Sequence, residues 1–450
     1  MRRSNVVSGA LAGVALLMAC APASAADPAH TIVSDYRLVR GDFAGSTFPD
    51  HPEGLLGSDD GGHVTADGRA VLIATEAPLA PANPANDGED LFLVDVATHT
   101  AKLVSASAGG VGGDKFSLWG ALSADGRYAV FDSAATNLVP QATKAFTSIY
   151  RKDLATGSIL RVSVSNTGAA GNASSGTPSI SRDGSRIAFE SFATNLVKPA
   201  PAATPQIYLR DVTAGRTRLV STTAGGIAGD GYSERPQLRA DGRAVVFVSR
   251  ATNLVAPDAN GDHWDIFHKD LVTGAITRVS QDAKGVQFPG DSVLPALSRD
   301  GRKVAFTVGR DSSFVRQIHV KDLVTGALTL VSADSAGTAG WGDSYSPSFS
   351  PSGRLVMFIS DAPDLVEGCG GSRNVFVKDL ASAAIWCLTR PDGTPMLRRF
   401  GAVFEAEFTP GGRGFAISTT AQLSGRDKVK NVADVYVGRF TAAFVAEAKP

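Results

Sequence analysis

Three patterns in this 450-residue chain could carry chemistry. The first is a loop, Asp258-Ala-Asn260-Gly261-Asp262-His263-Trp264-Asp265, in which Asp258, Asn260, Asp262 and Asp265 set oxygen side chains at positions 1, 3, 5 and 8 around a glycine. Hard cations are held by oxygen ligands, so the spacing could wrap calcium, although the distal bidentate Glu of an EF-hand is missing. The alternative is a polar loop folded by Asx turns. The second is a pair of nucleophile-like strings, Gly290-Asp-Ser-Val293 and Gly342-Asp-Ser-Tyr345. The third is a scatter of aromatic, cationic and acidic residues: Phe116 and Trp119; Tyr232, Glu234 and Arg235; Asp291; Trp341, Asp343 and Tyr345; Arg398 and Arg399. That mixture suits peptide or sugar recognition, through stacking and charge-assisted hydrogen bonds, or packing of loops onto a scaffold.

The elements that must position these residues are repeats. A phrase of the form apolar-Ser-x-Asp-Gly-Arg-x-apolar-x-Phe returns seven times, with turn glycines at Gly68, Gly126, Gly184, Gly242, Gly301, Gly353 and Gly412. Self-similarity at a near-constant period means one supersecondary unit copied, each unit burying its apolar face only against its neighbours. The repeat also filters the motifs. Ser117, Ser175, Ser233, Ser292 and Ser344 share one place in their copies, which points to a scaffold hydroxyl rather than a nucleophile. Asp95, Asp153, Asp211, Asp270, Asp322 and Asp379 likewise recur at one place, where each can accept hydrogen bonds from the following turn. There is no Gly-x-Ser-x-Gly elbow of a hydrolase.

Within one copy, Pro178–Ser181, Arg186–Ser191, Gln206–Asp211 and Thr217–Ser221 are short runs with alternating apolar positions, separated by Asp-Gly and Ala-Gly turns. They read as four antiparallel strands, A to D. Pro178, Pro236, Pro295 and Pro347 are expected to open strand A, since proline cannot donate to a ladder. Seven such units close radially into an all-β, seven-bladed β-propeller with strand A lining the central channel. Closure of the last blade has two candidate strands. Tyr36–Arg40 resembles the D strands and would join the chain's ends, and is preferred to Phe444–Ala446.

These residues resemble the TolB-like propellers built from the bacterial WD40-like (PD40) repeat, in the turn Ser181-Arg-Asp-Gly184, the strand Ile187-Ala-Phe189 and the strand Ile207-Tyr-Leu-Arg-Asp211. The match runs from about residue 60 to 440 and lacks the N-terminal α/β domain of TolB. The resemblance implies the fold. Seven-bladed lyases of pectate oligomers use related repeats around a His-rich metal centre. Here His263, His268 and His319 lie on loops and strands whose spacing does not demand convergence.

Met1-Arg2-Arg3, the apolar stretch Val6–Met18 and Ala23-Ser24-Ala25 read as an export signal over residues 1–25, too short to span a bilayer. Residues 26–450 would then form a single propeller domain. Leu17-Met18-Ala19-Cys20 offers the alternative of a lipidated Cys20. A formal net charge of -1 gives no electrostatic claim on nucleic acid or an anionic membrane. Cys369 and Cys387 are expected to pair as a disulfide in an oxidising compartment.

The expectation is therefore an exported protein, periplasmic or extracellular, monomeric, without a transmembrane segment or required cofactor. It would bind a protein, peptide or envelope polysaccharide on the face carrying the long B-to-C and D-to-A loops, since varied loops on a rigid scaffold usually carry function. The alternative is a catalytic propeller acting on a glycan, as a lyase or hydrolase.

Overall fold

A computed structural model describes residues 33–39, 63–65, 67–75, 79, 88–140, 146–201, 204–309, 315–369, 373–388, 403–419 and 434–447. The leader with Cys20, and Arg398 and Arg399, lie outside the described residues.

The strands form seven antiparallel sheets. Blade 3 shows the pattern: A is Ser175–Ile180, B Arg186–Ser191, C Gln206–Asp211 and D Arg216–Leu219, paired in the order A-B-C-D. Six sheets have four strands. Among the described residues blade 1 has three, B to D, with the bridge Val64↔Val71 at the place of its A strand. Successive A strands lie against one another and enclose the channel. Blade 7 is completed by Val33–Leu38, which pairs antiparallel with Asp434–Phe440 as its outer strand. The N-terminal segment thus closes the ring. The competing piece at the other end is helical, Ala442–Glu447, and packs Phe444 against Trp386 and Phe440.

The core repeats because the sequence does. Phe131 stacks on Tyr150, Phe189 on Tyr208, Phe247 on Phe267 and Phe358 on Phe376, with ring centroids 5.7 to 5.9 Å apart. All eight rings are fully buried. Each pair joins the B and C strands of one blade at directly opposed positions, where a stacked pair adds about 0.5–1.5 kcal/mol beyond area burial. The recurring serines pair across strands A and B: Ser117 with Ser133, Ser175 with Ser191, Ser233 with Ser249 and Ser344 with Ser360. In blade 5 the partner position is Val308, and Ser292 Oγ is buried without a hydrogen bond. The recurring aspartates hold the C-to-D turns, as when Asp270 accepts the backbone N–H groups of Val272 and Thr273.

Blades are also stapled to each other. Lys152 donates to Ala106 O and Ser107 O of the preceding blade at 2.6 and 2.8 Å, and Lys269, Lys321 and Lys378 repeat the contact. A buried ammonium capping two carbonyls satisfies both partners. Along the channel wall, Leu238 N–H donates to Ser179 Oγ and Leu297 N–H to Gln237 Oε1, each crossing from one A strand to the next. At the seam between blades 7 and 1, His63 N–H donates to Glu407 Oε1.

The prolines correct one expectation. Pro178, Pro236, Pro295 and Pro347 are the fourth residue of their A strands, not the first. A β-bulge interrupts the A–B register there. The residue just before each proline, Thr177, Arg235, Leu294 or Ser346, has a φ of 44 to 52°. A bulge frees proline from its ladder obligation in mid-strand and turns the preceding side chain. Trp119, before Gly120, adopts the same conformation at φ 40°.

Candidate binding site

The bulges build the site. In blades 2 to 6 the two residues after the buried serine are partly exposed and the next is buried, so each A strand presents two residues near its loop end. These pairs are Leu118 and Trp119, Gly176 and Thr177, Glu234 and Arg235, Val293 and Leu294, Tyr345 and Ser346. Of the sequence candidates, Trp119, Glu234, Arg235 and Tyr345 therefore share one belt.

Over blades 2 to 4 this belt meets carboxylates that the sequence reading missed. Asp132 and Glu190 each sit one residue before the serine that ends strand B, where blades 4, 5 and 6 carry Val248, Thr307 and Ile359. A Cβ built on Gly176 would lie 3.5 Å from Glu190 Oε1 and 3.7 Å from Asp132 Oδ2, so both carboxylates border the space that Gly176 leaves unfilled. Burial pushes the Asp132 carboxyl well above its ordinary value, and the charge on Glu190 adds to the rise. Asp132 Oδ1 is buried with no hydrogen-bond partner. Burial also raises Glu190, against the opposing pull of the Thr177 hydroxyl and the Arg235 backbone N–H. Glu234 is raised by burial despite Arg235, whose Nε is 3.6 Å away, and Arg250. The signal for the two missed residues was available: polar substitutions at a position that is apolar or small in other copies.

An aromatic wall stands beside them. Tyr232 meets Phe192 edge-on at 6.0 Å and Trp264 at 5.5 Å, and the Arg250 guanidinium lies 4.7 Å from the Trp264 ring centre. Phe192 is 41% exposed, so one end of the wall is open to solvent. Burial and the charges of Glu190 and Glu234 raise the Tyr232 phenol.

The remaining candidates are spread around the ring. Phe116 is 39% exposed in the loop before strand A of blade 2. Asp291 accepts the Trp264 N–H at 2.9 Å and lies 3.2 Å from His263 Nδ1. Asp343 accepts the Arg316 N–H, tying two loops together. The Tyr345 phenol is buried without a hydrogen-bond partner beneath the Arg373 guanidinium, and burial raises it above the ordinary phenol value. Trp341, 80% exposed, stands apart. Its backbone N–H is held by Asp364.

In the blade 4 loop, an internal cation stands among the oxygens. Arg278 Nη2 is 3.3 Å from Asp258 Oδ2 and Arg278 Nε 3.2 Å from Asp265 Oδ2, with all three side chains buried. Gln287 donates to Asp258, Asn260 and Asp265. The Asp262 side chain is 87% exposed and near Arg250. As placed, these residues do not fit a calcium ion: the charge it would supply comes from Arg278, and Asp262 does not converge on the others. Among the described residues, no group of three or more His, Cys, Asp or Glu side chains is arranged to hold a metal.

Cys369 and Cys387 are joined as a disulfide, tying the B-to-C loop of blade 6 to its outer strand. No helix among the described residues is long and apolar enough to cross a membrane.

Fold and site together define a seven-bladed β-propeller with four-stranded antiparallel blades and a polar channel mouth. Among solved structures the chain is similar to an oligogalacturonate lyase in complex with manganese, at 14% identity and TM-score 0.52 over 92% of this chain and 100% of that one. It is similar to U3-55K at 10% identity and TM-score 0.50, over 90% and 98%. It is also similar to TolB from Acinetobacter baumannii at 19% identity and TM-score 0.42, covering 71% of this chain and 63% of that TolB. These likenesses are of fold. No protein-family model matches the sequence, and no curated protein matches it.

Proposed function

We propose that this protein is an exported recognition propeller that binds a peptide or protein segment on its loop-rich face, at the channel mouth over blades 2 to 4. The observation that carries the reading is the pairing of an open aromatic wall, Phe192-Tyr232-Trp264, with the half-buried carboxylates Glu190 and Glu234. Aromatic anchors beside desolvated polar groups are the usual centre of a binding interface. The rigid, multiply stapled blades favour recognition on a preformed surface with little rearrangement. Export rests on the Met1–Ala25 leader, and the Cys369–Cys387 bond suits an oxidising compartment.

One observation favours a second reading. Two carboxyls raised above their ordinary values and close together resemble the acid and base of glycan cleavage, and the solved lyase shares the fold.

A thermal-shift screen of short peptides and of uronic and neutral oligosaccharides, run with a product assay, separates the two. The expected result is stabilisation by peptides that is lost in a Y232A/W264A variant and kept in R182A, a change on the tight-turn face. Oligosaccharide turnover that disappears in D132N and E190Q would overturn the recognition reading.

A further inference from the structure

Blade 3 alone places a glycine where the A strands of blades 2, 4, 5 and 6 carry Leu118, Glu234, Val293 and Tyr345. Gly176 needs no glycine conformation, because its φ is not in the left-handed region, and a Cβ there would meet its neighbours only at ordinary contact distance. What the missing side chain provides is space. That niche is bordered by Glu190 Oε1 and Asp132 Oδ2, at 3.5 and 3.7 Å from the Cβ position, and both Gly176 and Glu190 are partly exposed.

Asp132 is 5% exposed; its Oδ2 faces the niche, and Oδ1, the other oxygen of the same carboxyl, is buried with no hydrogen-bond partner. A buried carboxylate oxygen left unpaired is costly, and the cost is relieved when a donor arrives with a compensating charge. Arg235 lies along Glu234 and its charge also acts on Glu190, while Arg250 lies over Trp264. The wall of Phe192, Tyr232 and Trp264 would cover the apolar stem of a ligand whose charged head enters beside Gly176.

Resting on the recognition reading above, we infer that the Gly176 niche is a socket for a primary ammonium group, inserted between Asp132 and Glu190 with its stem against the Tyr232 wall. An ammonium carries three donors on a compact head, which two carboxyl groups bordering one small niche can accept. The group can come from a lysine side chain or from a free peptide N-terminus.

Calorimetric titration at about pH 8, where free carboxylates are ionised, tests this with four probes. Phenethylammonium is set against the neutral phenethyl alcohol. The peptides Ala-Ala-Phe-amide and acetyl-Lys-Ala-Phe-amide then separate the N-terminal from the side-chain source, each against acetyl-Ala-Ala-Phe-amide. The ammonium probe should bind at least about 10-fold more tightly than the alcohol, and D132N and E190Q should each remove about 10-fold, the order of one charge-assisted hydrogen bond. G176L, which copies the leucine of blade 2 and leaves both carboxyls in place, should abolish binding while thermal unfolding stays near native. Equal binding of the alcohol, or full affinity in a folded G176L protein, would overturn the socket. Acetyl-Ala-Ala-Phe-amide binding as tightly as the other peptides, and lost in Y232A/W264A, would overturn the socket and leave recognition standing. Failure of every probe, with oligosaccharide turnover present, would overturn both.

Discussion

Asp132 and Glu190 occupy the same position in the B strands of adjacent blades, and both carboxyl groups border the space beside Gly176. Burial lifts both above their ordinary values, and the Glu190 charge adds to the lift at Asp132. A propeller whose other blades fill these positions with aliphatic or small residues thus keeps a pair of desolvated acids at one sector of its channel. Retaining them costs stability, and the cost has a pH signature.

A carboxyl raised in the fold keeps its proton after the unfolded chain has lost it. Its contribution is full below the ordinary value of 3.8 and is lost as pH rises through the folded value. Asp132 is faced by Glu190, whose charge raises it further, while the backbone N–H groups of Asp132 and Leu118 oppose the rise. D132N should therefore show a flatter decline of Tm between about pH 4 and pH 8 and be the more stable protein at the upper end. A Tm profile parallel to the native one would show that Asp132 ionises without penalty.

Arg278 should matter more than any surface ion pair. R278A leaves Asp258 and Asp265 buried and uncompensated, a loss of about 3–5 kcal/mol, read by denaturant unfolding. Calcium in millimolar excess should restore part of that loss in R278A and leave the native protein's Tm unchanged. A calcium-dependent Tm in the native protein would mean that the ion displaces the guanidinium.

The closing strand can be tested by length. A chain begun at residue 41 loses the five residue pairs between Val33–Leu38 and Asp434–Phe440, and exposes the edge of the latter strand. At about 1 kcal/mol per ladder hydrogen bond, unfolding stability should fall by several times that amount relative to a chain begun at residue 26. Removing residues 442–450 should cost less, since it uncovers Trp386 and Phe440 without breaking a sheet. The reverse ranking would show that the terminal helix, not the strand, holds the ring shut.

Reducing the Cys369–Cys387 bond, or replacing both cysteines with serine, should cost about 3 kcal/mol on the chain-entropy estimate for an 18-residue separation. Proteolysis should then begin in the B-to-C loop of blade 6. An unchanged Tm under reductant would show that the loop is ordered without the bond.

The architecture was legible because it is written seven times. Repeated Asp-Gly turns and alternating apolar residues specify four strands per copy, and a unit with two apolar faces has no stable arrangement except between like units. The copies also showed which serines and aspartates serve the scaffold, because a side chain needed by every turn recurs in every turn. Even the closing strand could be read, since Arg37-Leu-Val39 resembles Arg218-Leu-Val220.

The site was only half legible, for a physical reason. Glu234, Arg235, Tyr232 and Trp119 stand out by type, but their partners Asp132, Glu190 and Gly176 come from two different blades, and no local spacing links them. Likewise Asp258 to Asp265 has the spacing of an ion site, and only the fold brings Arg278 from the adjacent outer strand into its centre. The sequence alone determined the strands, the turns and the sevenfold closure, all set by local backbone preferences and repeated burial. The tertiary structure decided which side chains share a space and which charges are already paired, because those depend on distances between blades that sequence order does not contain.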